Sequence, residues 1–306
     1  MDLSMSTHTY RTVDVPVSGG DLRVGVWDPA EGADDAPSIL AIHGVTSSHL
    51  AWPFLVDQLP GIRVIAPDLR GRGASSGIAG SAGMTAHATD MLAVLDAFAL
   101  SAVPVVGHSM GGFVAVVLAH LHPERVQQLI LIDGGLPLDV PADVAPEELV
   151  SIILGPTADR LSKRWRDAGE YTELFWRHHP AFEADWGAAL ERYIAYDLLP
   201  EGEVFRPATS YQTAVEDTVD LNLGTALTDA LAHIAHPTLF ITVPRGLQNE
   251  EPGLYPPAHR DRLLVEHPEI SHRHIDGLNH YTIVMSDRGA KALAPLVQSA
   301  IGVVGA

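Results

Sequence analysis

The 306-residue chain carries 38 acidic against 19 basic side chains, a formal net charge of −19. That balance argues against nucleic acid and anionic membrane as partners. Cysteine is absent, which excludes disulfides, thiolate metal ligands and a cysteine nucleophile. Hydrophobic residues make up 46%, enough for a sizeable core, and the length suits one domain with a large insertion or two small domains. The start, MDLSMSTHTYR, has no apolar h-region and does not read as a signal peptide. The longest apolar stretch, Phe113 to Leu121, is too short to span a bilayer. A soluble, cytoplasmic protein is the expectation.

YRTVDVPV, SGGD and LRVGVW read as two alternating strands around a Gly-Gly turn. An acidic loop, 28–37, follows. Short apolar runs then recur at 38–44, 63–69, 103–109, 128–134 and 238–243. Continuous runs of this kind suit parallel strands buried on both faces. Helical spacing or high apolar content marks 51–59, 85–98 and 110–122 between them. The pattern breaks after Gly135. Residues 136–233 show no clean strand signal but many aromatics, among them Trp165, Trp176, Trp186, Tyr193 and Tyr211. That stretch is too long for a loop and reads as a helical insertion. The sheet pattern resumes at Thr238, with a helix over 259–266 and a strand over 271–275. An amphipathic helix from Asp287 to about Val303 closes the chain. The expected fold is α/β, a mostly parallel sheet of about eight strands wrapped in helices.

Gly107-His108-Ser109-Met110-Gly111 fits G-x-S-x-G in the required context of strand, sharp turn and helix. Small flanking residues permit the tight turn, and the strained serine projects its hydroxyl above the sheet. A serine so placed is a candidate nucleophile, and it needs a base.

With HGVTSSHLAW (43–52), APDLRGRGAS (66–75) and GLNHYTIVM (277–285), the chain resembles the α/β-hydrolase superfamily over nearly its whole length. The resemblance implies a core of 1–135 and 234–306, with 136–233 as a helical cap. It implies Ser109 as nucleophile, and His280, after the last strand, as base. It implies backbone N–H groups of Met110 and Val45 as the oxyanion hole, with Thr46 as second choice for the latter. His43 is expected to tie down its loop, and Asp68, Arg70 and Arg72 to fix theirs. The acid departs from the common pattern. Most relatives carry an aspartate after the strand at 238–243, where this chain reads VPRGLQNEEPG. Asp133, at the end of the preceding strand, is preferred, as in haloalkane dehalogenases and certain lactonases. Glu250 is the alternative, with Glu251 behind it.

The cap aromatics and Trp52 suggest an apolar pocket. Trp52, His108, Trp176 and Tyr211 are the candidate substrate-binding residues, although aromatics in an insertion more often form its own core. Asp217 and Glu216 read as a solvated face. The expected activity is that of a serine hydrolase, a carboxylesterase or lactonase, acting on an apolar ester-like small molecule. Alternatives are a C–C bond hydrolase of ring-cleavage products, a cofactor-free haloperoxidase-like enzyme, or a non-catalytic ligand-binding receptor. There is no H-E-x-x-H and no phosphate loop, so no metal and no cofactor is expected. No nucleic acid and no membrane is expected as a partner, and a homodimer is left open.

Overall fold

The computed structural model describes residues 7–141 and 145–302. β1 (His8–Val17) and β2 (Gly20–Pro29) form the expected hairpin. The repeating units follow: β3 (Ser38–Ile42), α1 (Pro53–Asp57), β4 (Arg63–Pro67), α2 (Met84–Ala97), β5 (Val103–His108), α3 (Met110–Leu121) and β6 (Val126–Ile132). The chain then leaves the sheet through α4 (Pro146–Leu154), α5 (Pro156–Ser162), α6 (Ala168–Tyr171), α7 (Ala188–Tyr196), β7 (Leu198–Glu201), β8 (Val204–Pro207), α8 (Tyr211–Leu223) and α9 (Ala226–Leu231). It returns as β9 (Thr238–Thr242), α10 (Pro257–Glu266), β10 (Ile270–His274) and α11 (Asp287–Ala300).

Eight strands make one sheet in the order β1-β2-β4-β3-β5-β6-β9-β10. Only the pairings of β1 with β2 and of β2 with β4 are antiparallel. The central strands are apolar throughout because both faces are covered. Their alternate residues divide between two cores, as the period of two requires. Leu40, Ile42, Val105, Leu129 and Leu131 pack with α2 and α3. Ile39, Ala41, Val106, Ile130 and Ile132 pack with α1 and α11. Among the described residues no helix is long and apolar enough to cross a membrane.

Three local expectations are corrected. The helix expected over 51–59 splits into a 3-10 turn at His49–Ala51 and α1, because Pro53 starts a new helix rather than continuing one. The stretch 136–233 contains an antiparallel hairpin, β7 with β8. LLPE and VFRP are four residues each and do not alternate, so no period was there to read. The last helix ends at Ala300, and Val303 lies outside the described residues.

One junction between the inserted helices and the sheet layer matters for the site. Gly83, at φ 106°, precedes α2 and has no side chain to cap it. The Gly83 N–H donates to Asp217 Oδ1 at 2.6 Å, and the Met84 N–H donates to Asp220 Oδ2 at 2.7 Å. Both carboxylates sit on α8. They satisfy orphan donors at a helix start and complement its dipole, so α8 caps α2 in trans. Asp220→Ala is expected to lower stability by about 1 kcal/mol, the usual cost of a lost N-cap, read as a lower urea midpoint with an unchanged slope.

Candidate active site

β5 ends at His108 and α3 begins at Met110, so Ser109 makes the whole turn. Its backbone stands at φ 54°, ψ −126°. A non-glycine residue there costs of order 1–3 kcal/mol, and the surroundings must enforce it. They do so by close backbone approach. A Cβ on Gly111 would lie 2.5 Å from the Ile42 carbonyl carbon, and one on Gly134 would lie 2.6 Å from the Ser109 carbonyl carbon. No side chain fits at either position. The Ser109 N–H donates to the Ile132 carbonyl at 2.9 Å, which carries the β5–β6 ladder one residue past the strand.

Asp133 follows β6, the strand beside β5, and is fully buried. Its N–H donates to the Ile241 carbonyl at 2.7 Å, and its own φ is 45°. His280 Nδ1 lies 2.7 Å from Asp133 Oδ2. With an ionised carboxylate, Nδ1 donates and Nε2 keeps its lone pair. Glu250, the alternative acid, is exposed and accepts from the Gln248 N–H, while Glu251 pairs with Arg245. Neither meets His280. The segment after β9 supplies a backbone group instead: the His280 N–H donates to the Arg245 carbonyl at 2.9 Å. Tyr255 steadies the chain after Asp133. Its hydroxyl donates to the Leu136 carbonyl at 2.6 Å, and burial, then the Asp133 charge, pushes its pKa well up.

Opposite Ser109 lies the loop after β3. Gly44 packs against the serine so closely that a Cβ would stand 3.0 Å from Ser109 Cβ. The Val45 N–H has no hydrogen-bond partner among the described residues, and the Met110 N–H opens a helix, where intrahelical acceptors are lacking. His43 holds this loop. Its Nδ1 donates to the Gly44 carbonyl at 2.7 Å and its Nε2 accepts from the Leu69 N–H at 3.0 Å. Arg72 Nε donates to the Val45 carbonyl at 2.8 Å. Asp68 accepts from the His49 and Ala74 N–H groups and from Tyr196, and Arg70 grips Asp90 with two bonds of 2.7 Å.

Ser109, His280, Val45, Thr46, Met110 and His108 all line one narrow cavity of about 50 Å³. The remaining lining comes mainly from apolar side chains: Phe113, Leu138, Ile153, Leu154, Leu221, Leu247, Leu254 and Met285. Thr218 and Asn222 join them from α8. No lysine, arginine, aspartate or glutamate lines it among the described residues. Nor do three or more histidine or acidic side chains gather there or elsewhere in a metal-holding group among those residues.

His108 is the one predicted substrate-contact residue that the structure brings to the cavity. Its Nε2 donates to the His280 carbonyl at 2.8 Å, and the two rings stand 4.7 Å apart. Burial, then the neighbouring His280, pushes the His108 pKa well down. The other three are corrected. Trp52 is buried between the sheet and α1. Trp176 is buried within the insertion, with Tyr171, Phe182 and Tyr193 around it and the Arg160 guanidinium 5.1 Å from its ring centre. Arg160 in turn pairs with Asp197 in that core. Tyr211 opens α8 with 43% of its surface exposed. None of the three lines the cavity. Asp217 is not on a solvated face either; it is fully buried, whereas Glu216 is exposed.

A family model described as the α/β-hydrolase fold matches residues 37–157. The chain has the α/β-hydrolase fold. The lipase LipV of Mycobacterium tuberculosis is 40% identical over 119 residues, 39% of this chain and 44% of the relative. A Bacillus subtilis protein named as a putative 2-succinyl-6-hydroxy-2,4-cyclohexadiene-1-carboxylate synthase is 34% identical over 122 residues, 39% of this chain and 43% of the relative. The chain therefore spans under half the length of these curated relatives. A hypothetical protein from Pseudomonas aeruginosa PAO1 matches in structure with a TM-score of 0.71 at 24% identity, covering 95% of this chain and 99% of that one, and so shares the fold.

The site residues that the sequence left hidden are mostly the cavity walls. Phe113 was within reach, one helical turn after Ser109. Thr218, Leu221 and Asn222 share a face by their spacing of three and four, but nothing in the sequence says that face looks at Ser109.

Two buried histidines make the stability of the chain depend on pH. Burial lowers the His43 pKa to about 3, against the pull of Asp68, and burial then Arg160 lowers that of His179 to about 4. Both groups are neutral in the folded chain at pH 5, but mostly protonated once unfolded, near 6.5. The unfolded state thus binds more protons, and stability falls as pH drops below about 6.5, by about 1.4 kcal/mol per pH unit for each such proton. The melting temperature is expected to fall steadily from pH 7 to pH 4.5, with a shallower slope in His43→Gln. Equal slopes in the two proteins would contradict this account.

Proposed function

We propose that the chain is a serine hydrolase cleaving a carboxylic ester or lactone of an apolar small molecule through an acyl-enzyme on Ser109. The observation that carries the reading is the convergence of Ser109 and His280 on one uncharged cavity, with Asp133 hydrogen-bonded behind His280. His280 Nε2 takes the Ser109 proton as Oγ attacks the carbonyl carbon. The oxygen that becomes negative is met by the Val45 and Met110 N–H groups, the second at a helix start where the dipole helps. His280 then gives its proton to the departing alcohol oxygen, or to the ring oxygen of a lactone. Water, deprotonated by His280, attacks the acyl-enzyme and releases the acid and Ser109. Asp133 holds the imidazole tautomer and stabilises the imidazolium formed in each half.

The narrow apolar lining favours a slender, neutral acyl or alcohol group. LipV, by its name a lipase, supports ester cleavage. The relative named as a synthase points instead to chemistry on a carbon skeleton. By that name its product is a carboxylate, and no cation lines the cavity here among the described residues, so the ester reading is preferred.

Ser109→Ala is expected to abolish hydrolysis of p-nitrophenyl butyrate while leaving circular dichroism unchanged; unaltered turnover would remove the serine from the mechanism. Asp133→Asn is expected to lower kcat by about 10⁴, as loss of the orienting acid does elsewhere. Glu250→Gln is expected to leave kcat within about twofold, because a surface carboxylate remote from His280 contributes nothing to its orientation. The opposite ranking would move the acid to Glu250.

A further inference from the structure

Arg72 is fully buried, yet it reaches in two directions. Toward the site, its Nε donates to the Val45 carbonyl, with a further bond from Nη1 to the Arg70 carbonyl at 2.9 Å. Toward the inserted helices, Nη1 stands 2.5 Å from Asp217 Oδ2. Asp217 is also fully buried, and its other oxygen takes the Gly83 N–H and His87 Nε2, the latter at 3.0 Å. Burial alone would raise the Asp217 pKa, but Arg72 and then His87 outweigh it and hold the carboxyl well below the usual range. The carboxylate is therefore charged, with Oδ1 hydrogen-bonded and Oδ2 in ion-pair contact with Arg72. The next residue on α8, Thr218, lines the cavity, as do Leu221 and Asn222.

We propose that Asp217 acts through Arg72 to position the Val45 loop, coupling the seating of α8 over the cavity to the second oxyanion donor. The proposal rests on the serine-hydrolase reading for what the loop does, though not for the coupling itself. The geometry explains why a buried ion pair is placed here. Such a pair adds little net stability compared with an apolar core, but removing one partner leaves the other charged and buried. The pair thus has one favourable arrangement, and that arrangement ends on the Val45 carbonyl. Asp217 and Arg72 touch no substrate atom in this account; they are positioning residues. A donor displaced from the oxyanion loses much of its effect, since stabilisation depends on groups already aimed where charge develops.

The test compares Arg72→Lys and Asp217→Asn with Asp220→Asn, which alters the other α8 carboxylate at α2 and leaves Arg72 untouched. Arg72→Lys removes the Nε bond; Asp217→Asn keeps size and an acceptor, so it carries the test where the lysine variant does not fold. Both are expected to lower kcat for p-nitrophenyl butyrate at least about 10-fold with KM within about twofold. The Ki of a trifluoromethyl ketone, whose adduct carries the oxyanion, is expected to rise in parallel. Hydrogen exchange of the amides in 43–50 is expected to quicken in both variants and not in Asp220→Asn. Unchanged exchange there, or the same losses in Asp220→Asn, overturns the coupling. If the wild-type chain turns over no ester, the hydrolase reading fails on that result alone, and exchange in 43–50 still decides the coupling.

Discussion

The strained turn at Ser109 is the constraint around which this molecule is arranged. One residue must join a buried strand to a helix with a positive φ, and the cost is met only because backbone from three sides holds it. The β3 strand end presses on Gly111, the segment after β6 presses through Gly134, and the loop after β3 presses through Gly44. At Gly111 and Gly134 the contact requires hydrogen in place of a side chain, and at Gly44 a side chain would crowd Ser109. The same close approach brings β3, β5 and β6 together at their carboxyl ends, so the Val45 loop, Ser109 and Asp133 become neighbours without any long-range design beyond strand order.

That crowding also accounts for the carboxylate behind His280. β6 lies next to β5, and Asp133 is the first residue beyond it. It is fully buried, its N–H is bonded to Ile241, and among the described residues its side chain meets only His280, through Oδ2. The segment after β9 cannot compete, because its Arg245 carbonyl is already bonded to the His280 backbone and its two glutamates face solvent. His280 is thus held by backbone from one neighbour, by a carboxylate from another, and by His108 through its own carbonyl. An imidazole fixed at its backbone and at Nδ1 has little freedom left, which suits a group proposed to shuttle protons over a short fixed path.

The inserted helices are seated by charged and polar contacts as well as by apolar cover. α8 is tied to the start of α2 by two carboxylates and to Arg72 by a buried pair. Elsewhere Tyr193 meets Ser47 and Tyr196 meets Asp68. Of these contacts, those made by Ser47 and, through the Val45 carbonyl, by Arg72 reach the loop after β3 that lines the cavity. A wall attached in this way is coupled to the loops it covers, and that coupling is where the proposed role of Asp217 arises.

Much of this was legible in the chain itself. Apolar runs of six or seven residues, repeated with helices between them, specify parallel strands because each run must be covered on both faces. Gly107-His108-Ser109-Met110-Gly111 specifies a sharp strand-to-helix turn because only small neighbours allow it, and GLNHYT after the last strand marks His280. The order of residues could narrow the acid to Asp133, Glu250 or Glu251, and no further, since all precede the histidine and all follow strands. Only the tertiary structure shows which of them meets His280, because what matters is which strand lies beside β5, a distance rather than a spacing. The same holds for the cavity walls. Apolar lining and apolar core have the same composition, so Trp52 and Trp176 looked as eligible as Phe113 and Leu221. Asp217 is the sharpest case: one carboxylate among polar helix residues, solvent-facing by local pattern, and buried only because Arg72 comes from a loop 145 positions away in the sequence to meet it.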